Sequence, residues 1–371
     1  MIEAPPSSSS HVSSYLYSLT AASKAPGIQY LVVTPAGVMF EHASGWADIR
    51  RQVPLDGATT MMAYSMSKTI TAVAVLQLVE AGRVALDEPA ERYIRSFPYG
   101  ASVTIRQILC HTSGIPNPMP LRWVHTAERH EDFDEDSALS AVLHDRPRLS
   151  FEPGTKYAYS NIGYWLLGKV VERASGVTFT SYVADRILRP LAIDALELSY
   201  VVSDTAHHAI GYLEKYSLMN LVKSLLIDRA LVGDYSGRWL ALRSHYVNGP
   251  AFGGLVGTAG GFGKFQEDQL RDRSVLLNES TRRLLYEQQR TTRGELIPMT
   301  LGWHIGTLNG MRHFYKEGGG GGFHSMMRLY PDARVGTVVM ANATGLNVER
   351  LLDTIDPSFL GPDAVRRRVL P

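Results

Sequence analysis

A single cysteine, Cys110, stands in 371 residues, so no intrachain disulfide can form. That fits a reducing compartment without demanding one. Net charge is almost absent, with 37 Lys and Arg against 36 Asp and Glu. No basic patch with interleaved aromatics occurs, so no nucleic-acid partner is expected. No apolar run reaches the length of a membrane span. Met1–Ser10 lacks both a basic n-region and an apolar h-region, so no secretory signal and a cytoplasmic location are expected. The 12 histidines show no metal-ligand spacing; His125, His130 and Glu131 in the acidic loop 128–136 come nearest, and no metal is expected. Gly-x-Ser-x-Gly is missing, which speaks against an α/β-hydrolase elbow. No glycine-rich loop stands in a dinucleotide-binding context, so no cofactor is expected.

Against these absences stands Ser65-Met66-Ser67-Lys68 at the start of a long apolar stretch. Its serine and lysine lie one helical turn apart and leave the helix on the same face. A serine hydroxyl becomes a nucleophile when a neighbouring base takes its proton, and a partly desolvated lysine loses enough basicity to serve. Alone the tetrapeptide is weak, since serine favours helix starts anyway. The following segment, 69–81, is too apolar for a surface and ends at Gly82, a C′ residue. It reads as a central buried helix whose first turn faces a cleft.

Two further elements carry polar groups suited to such a cleft. Tyr159-Ser160-Asn161 follows a turn-rich loop and opens another apolar helix. Beside Lys68 the tyrosine would act as phenolate or proton shuttle, and Asn161 would orient the lysine and the substrate carbonyl. Tyr246-Val247-Asn248 has the same pattern. Lys316-Glu317-Gly318 precedes Gly319–Gly322, where glycine allows close backbone approach and an N–H aimed at an oxyanion. A flexible hairpin tip is the plainer reading of that run, and His304-Ile305-Gly306 is a second candidate for the box. Trp303, Phe323 and His324 lie near it and are candidate substrate contacts, with core packing as the alternative.

Together these elements resemble the serine β-lactamase and penicillin-binding-protein superfamily. The likeness is to its class C-like branch, which includes family VIII carboxylesterases and D-stereospecific peptidases. It extends to Gly45-Trp46-Ala47-Asp48, to 82–89, to His111-Thr112-Ser113-Gly114, to Gly253-Gly254-Leu255 with Thr258-Ala259, and to 338–342. The resemblance implies an acylated Ser65, Lys68 as proton acceptor, and Tyr159 as partner base and leaving-group acid. It also implies Asn161 as orienter, Lys316 as the cation of the third box, and an oxyanion hole of the Ser65 and Gly319 N–H groups. Glu317 departs from the small or hydroxyl residue usual in that box. A carboxylate there repels carboxylate-bearing substrates unless it points away. A carboxylesterase for short-chain esters or lactones is therefore expected. A β-lactamase or D-amino-acid peptidase, an acyltransferase and a non-catalytic scaffold are the alternatives. The substrate would be a small ester, lactone or amide.

The resemblance implies an α/β (α+β) β-lactamase/transpeptidase-like fold. Hydrophobic patterning places helices at 12–22, 69–81, 104–111, 137–144, 162–174, 178–187 and 348–355. Strands fall at 29–34, 38–42, 302–307, 311–315, 323–329 and 336–342. Strands at both chain ends imply one antiparallel sheet built from 1–60 and 250–371. A mainly helical inserted domain, 61–249, follows, with the site in the cleft between them. Ser7–Ser10 is expected to be loose. The apolar face of 216–232 reads as a packed helix, with a pocket lid or a membrane-surface contact as alternatives.

Overall fold

The computed structural model describes residues 6–118, 123–217, 220 and 228–361. Its main sheet has seven antiparallel strands: β1 (Gly27–Thr34), β2 (Gly37–Asp48), β3 (Val53–Pro54), β4 (His304–Leu308), β5 (Met311–Gly320), β6 (Phe323–Tyr330) and β7 (Val335–Ala341). Their spatial order is β4-β5-β6-β7-β1-β2-β3. The two ends of the chain meet where Ile28 of β1 pairs with Ala341 of β7. Five helices matter below: α1 (Pro6–Ala21), α2 (Ser67–Glu80), α3 (Asn161–Ser175), α4 (Ala259–Leu270) and α5 (Val348–Ile355).

Every residue of β7 and all but the last of β1 are buried. A strand covered on both faces has no reason to alternate apolar with polar residues. Ile28, Tyr30 and Val32 pack with Val12 and Leu16 of α1 and Leu351 and Leu352 of α5. Leu31 and Val33 face the opposite way, into the larger core that includes Phe262 and Phe265 of α4 and most of α2. Residues 67–76 of α2 are buried without a break, the signature of a helix enclosed on all sides.

On the α1 and α5 side lies a buried polar network. Asp356 accepts hydrogen bonds from the Tyr30 and Tyr330 hydroxyls at 2.8 and 2.7 Å and from Thr337 at 3.1 Å. Arg328, nearly enclosed, lies 3.7 Å from Asp356 and 2.8 Å from Asp353.

Several elements differ from the sequence expectation. β2 runs on to Asp48 and β5 continues through the glycines to Gly320. α1 begins at Pro6, so Ser7–Ser10 falls within a helix. Three short strands, Tyr212–Glu214, Val232–Ser236 and Trp239–Leu242, form a small sheet of their own, where no strand was expected. Most of the 216–232 helix lies outside the described residues. At its end, Arg229–Leu231 is a 3-10 turn and Val232 starts a strand. Arg366–Arg368, read from the sequence as a short solvated tail, also lie outside them. Among the described residues no helix is long and apolar enough to cross a membrane.

Candidate active site

α2 is preceded by a 3-10 turn, Tyr64–Met66, which carries Ser65. The turn is held from several sides. The Ser67 hydroxyl donates to the Tyr64 carbonyl at 2.7 Å and accepts the Leu255 N–H at 3.1 Å. The Ala63 N–H donates to the Leu255 carbonyl at 2.9 Å. Tyr64 sits at φ +45°, a conformation unusual for a bulky residue and kept only where surrounding structure enforces it.

Ser65 Oγ lies 2.9 Å from Lys68 Nζ and 2.8 Å from the Tyr159 hydroxyl. Lys68 is fully buried. Its amine also reaches Asn161 Oδ1 at 2.7 Å and the Phe252 carbonyl oxygen at 2.5 Å, both of which only accept. A neutral amine meets that pair with its two N–H groups and keeps its lone pair for the Ser65 hydroxyl. Burial pushes the Lys68 amine well below the usual lysine range, and the charge of Lys316 pushes it further. The geometry and the electrostatics therefore both suit a base.

Tyr159 differs from the expectation that a cation would lower it. Its ring centroid lies 5.0 Å from Lys68 Nζ and 5.3 Å from Lys316 Nζ. Burial nevertheless raises the phenol above its ordinary value, because the desolvated phenolate is the costlier form. Tyr159 is thus a protonated hydroxyl that donates to Ser65 Oγ. Ser160 caps α3 by accepting the Gly163 N–H, which sets Asn161 at the helix's first position.

Lys316 of β5 is completely enclosed, and its Nζ finds no hydrogen-bond partner among the described residues. It lies 5.3 and 5.7 Å from the ring centres of Tyr159 and Tyr164. Burial lowers its amine to about 7. Glu317 projects from the opposite face, as strand alternation requires. Its Oε1 lies 2.6 Å from His324 Nε2. His324 Nδ1 in turn lies 2.6 Å from the Leu346 carbonyl oxygen. The carboxylate at the position of the small or hydroxyl residue is therefore tied to an imidazole across the strand pair, not aimed at Lys316.

The glycine run is no loose hairpin tip. β4 pairs with β5 only as far as Tyr315, so the stretch from Lys316 to Gly320 leaves that edge uncovered and packs onto the Ser65 turn. A Cβ on Gly318 would stand 2.0 Å from the Ala63 carbonyl oxygen, and one on Gly320 would stand 2.4 Å from the Tyr64 ring.

Beside Ser65 opens a cavity of ≈ 340 Å³ whose walls include Gly319, His324, Trp123, Phe252, Leu213 and Leu242. Trp303 and Phe323 are buried in the core instead. Trp303 stacks parallel to Phe265 and does not border the cavity.

The second Tyr-x-Asn lies elsewhere. The Asn248 side chain meets His125 at 2.9 Å, and Tyr246 lines a separate cavity of ≈ 460 Å³. His125 and His130 hydrogen-bond to each other at 2.9 Å. No group of three or more potential metal ligands occurs among the described residues. His304, the rival to Lys316, has its Nε2 3.1 Å from the Tyr157 hydroxyl, and burial pulls its pKa down to about 2.

Sequence reasoning missed four contributors. The Phe252 carbonyl gives no side-chain signal. His111 accepts the Ser160 N–H at 3.1 Å and lies 4.4 Å from Tyr159, ring to ring; it stood in a quoted motif without a role. Tyr64 and His245, 3.0 Å apart, become neighbours only across the fold.

Comparison with known proteins bears on this geometry. The family model described as Beta-lactamase matches residues 14–356. Penicillin-binding protein 4* of Bacillus subtilis (strain 168) is 25% identical over 309 residues, covering 82% of this chain and 65% of that protein. The chain spans less than two thirds of the length of the curated relatives it matches. Among solved structures, D-amino acid amidase from Ochrobactrum anthropi SV3 superposes with TM-score 0.79 at 19% identity, over 94% of this chain and 98% of that one. EstCE1, described as a hydrolase with promiscuous acyltransferase activity, gives TM-score 0.70 at 18% identity, over 96% and 99%. At these identities the likeness is one of fold.

Proposed function

This chain belongs to the Beta-lactamase family, and we propose on that premise that it is a carboxylesterase for neutral esters or lactones, working through an acyl-enzyme on Ser65. The observation that carries the proposal is the placement of Ser65 Oγ between Lys68 Nζ at 2.9 Å and the Tyr159 hydroxyl at 2.8 Å. Such a hydroxyl has a base on one side and a proton donor on the other.

In this reading the Ser65 proton passes to Lys68 as Oγ bonds to the substrate carbonyl carbon. Charge on the carbonyl oxygen is met by the N–H groups of Ser65 and Gly319. The C–O bond to the leaving alcohol then breaks, and Tyr159 protonates that oxygen while Lys68 returns its proton to Tyr159. Water repeats the sequence on the acyl-enzyme, giving up a proton to the same pair and releasing the acid. Asn161 holds the lysine, and burial, aided by the Lys316 amine, keeps it neutral. The site is read as the cleft between a sheet unit (1–60 and 250–371) and an inserted unit (61–249).

Esters are preferred over β-lactams and acyl-D-Ala-D-Ala ends because the residue after Lys316 carries no hydroxyl to bind a substrate carboxylate. Glu317 at that position turns its half-exposed carboxyl toward His324 and supplies no such group. The second reading, a β-lactamase or D-amino-acid peptidase, is favoured by the penicillin-binding name of the Bacillus relative. Acyl transfer, here to an alcohol, would use the same intermediate; acyltransferase activity is named for EstCE1. A scaffold would have no need of the Ser65, Lys68, Tyr159 and Asn161 constellation.

Intact-protein mass spectrometry tests the proposal, with a fluorophosphonate or benzylpenicillin and with Ser65→Ala alongside wild type. One fluorophosphonate adduct, lost in Ser65→Ala, with no stable penicilloyl adduct and slow penicillin turnover, is the expected result. A stable penicilloyl adduct or fast penicillin hydrolysis moves the assignment to the second reading. No labelling of Ser65 by either reagent overturns the acyl-enzyme.

A further inference from the structure

The cavity beside Ser65 has a one-sided relation to the reacting groups. Ser65, Asn161 and Gly319 border it, whereas Lys68 and Tyr159 do not. A carbonyl carbon attacked by Ser65, with its oxygen toward Gly319, has two remaining substituents. The one that leaves must face the proton donor, Tyr159. The one that stays, the acyl group, then enters the cavity.

Among the described residues no Lys, Arg, Asp or Glu side chain lines the cavity. Its walls are Leu213 and Leu242 from the small three-stranded sheet, Leu231 beside it, and Trp123, Val247 and Phe252 from the opposite side. A charged acyl group would be stripped of water there and meet only imidazoles bonded elsewhere, His324 to Glu317 and the Leu346 carbonyl and His245 to Tyr64 and the Arg243 carbonyl. At ≈ 340 Å³ the space is also far larger than an acetyl group needs; at roughly 30 Å³ each it holds about eleven water-sized groups.

We propose that this cavity is an acyl-chain site selecting uncharged apolar acyl groups of medium length, about six to ten carbons, and that Leu213 and Leu242 set its length. The inference rests on the Ser65 acyl-enzyme reading and narrows its neutral esters to medium-chain ones, in place of the short-chain esters expected from the sequence. Each methylene buried in such a site raises kcat/KM about two- to fourfold until the cavity is full.

A p-nitrophenyl ester series from acetyl to dodecanoyl tests it. Wild type is expected to climb from acetyl to a maximum between hexanoyl and decanoyl, and to disfavour adipate monoesters at least about tenfold against hexanoate. Leu242→Trp, which fills the space, is expected to move the maximum toward acetyl, and Leu213→Ala to move it toward longer chains. The ratio of octanoyl to acetyl rates within each variant is the readout, so loss of folded protein cancels. Opposite shifts in the two variants support the proposal. A wild-type maximum at acetyl, equal use of the adipate monoester, or ratios unmoved in both variants overturns it. Fluorophosphonate labelling of Ser65, measured on the same samples, separates this failure from failure of the acyl-enzyme reading.

Discussion

Gly318 rests on Ala63: a Cβ added to the glycine would stand 2.0 Å from the Ala63 carbonyl oxygen. That contact seats the strand carrying Lys316 and Gly319 against the turn carrying Ser65. Backbone on backbone leaves no flexible side chain to yield, so Gly318→Ala must part the two segments. A separation of even 1 Å is enough to cost about 10²-fold in rate. The variant is expected to lose at least that much kcat on a p-nitrophenyl ester while its far-UV circular dichroism stays that of wild type. Full activity would show that the contact does not hold the site together.

Tyr159 keeps its proton at rest because burial disfavours the phenolate. Tyr159→Phe removes the donor to Ser65 Oγ and the relay to the leaving group. A loss of about 10²–10⁴ in kcat is expected. Esters of strongly acidic phenols should suffer less than alkyl esters, since their leaving groups need no proton. Equal losses for both would take Tyr159 out of leaving-group protonation.

The acid limb of kcat/KM against pH reports the base. Lys68 must be neutral to accept the Ser65 proton, and the charge on Lys316 opposes an ammonium at Lys68. Lys316→Met removes that opposition, so Lys68 holds its proton to higher pH. The acid limb is expected to move to more alkaline pH, and activity at pH 6 should fall by a larger factor than at pH 9. A limb that stays in place would mean that Lys316 does not act on Lys68.

Far from the site, Asp356 accepts from two tyrosines and a threonine and lies beside buried Arg328. Asp356→Ala leaves these donors and part of a buried charge without their partner. A destabilisation of about 3–5 kcal/mol is expected by urea unfolding, with kcat of the folded fraction close to wild type. A loss under about 1 kcal/mol, as for an exposed ion pair, would show that Arg328 is satisfied by Asp353 alone.

Some of this was legible in the residue order and some was not, for identifiable reasons. The apolar segment after Ser65 announced a buried helix, and α2 is one from Ser67 to Glu80. β1, β6 and β7 lie within one or two residues of their expected bounds, because enclosed strands leave long apolar runs. The small sheet of 212–214, 232–236 and 239–242 went unseen, since strands of three to five residues carry too little periodicity. The glycine run was ambiguous because glycine suits both a loose tip and a tight contact. Trp303 was a plausible cleft residue by position and proved to be core.

The sequence by itself determined the Ser65 and Lys68 pair. Three residues along helical backbone bring two side chains to one face, although the 3-10 turn that carries Ser65 is held by contacts from elsewhere in the chain. Only the tertiary structure chose Tyr159 and Asn161 over Tyr246 and Asn248, turned Glu317 toward His324, and left Lys316 enclosed without a hydrogen-bond partner among the described residues. The Glu317 contact spans a single hairpin, whereas the placement of Tyr159 and Asn161 depends on contacts between segments dozens of residues apart. Burial, which shifts Lys68, Tyr159 and Lys316 from their ordinary values, is a property of the surroundings and not of the residue.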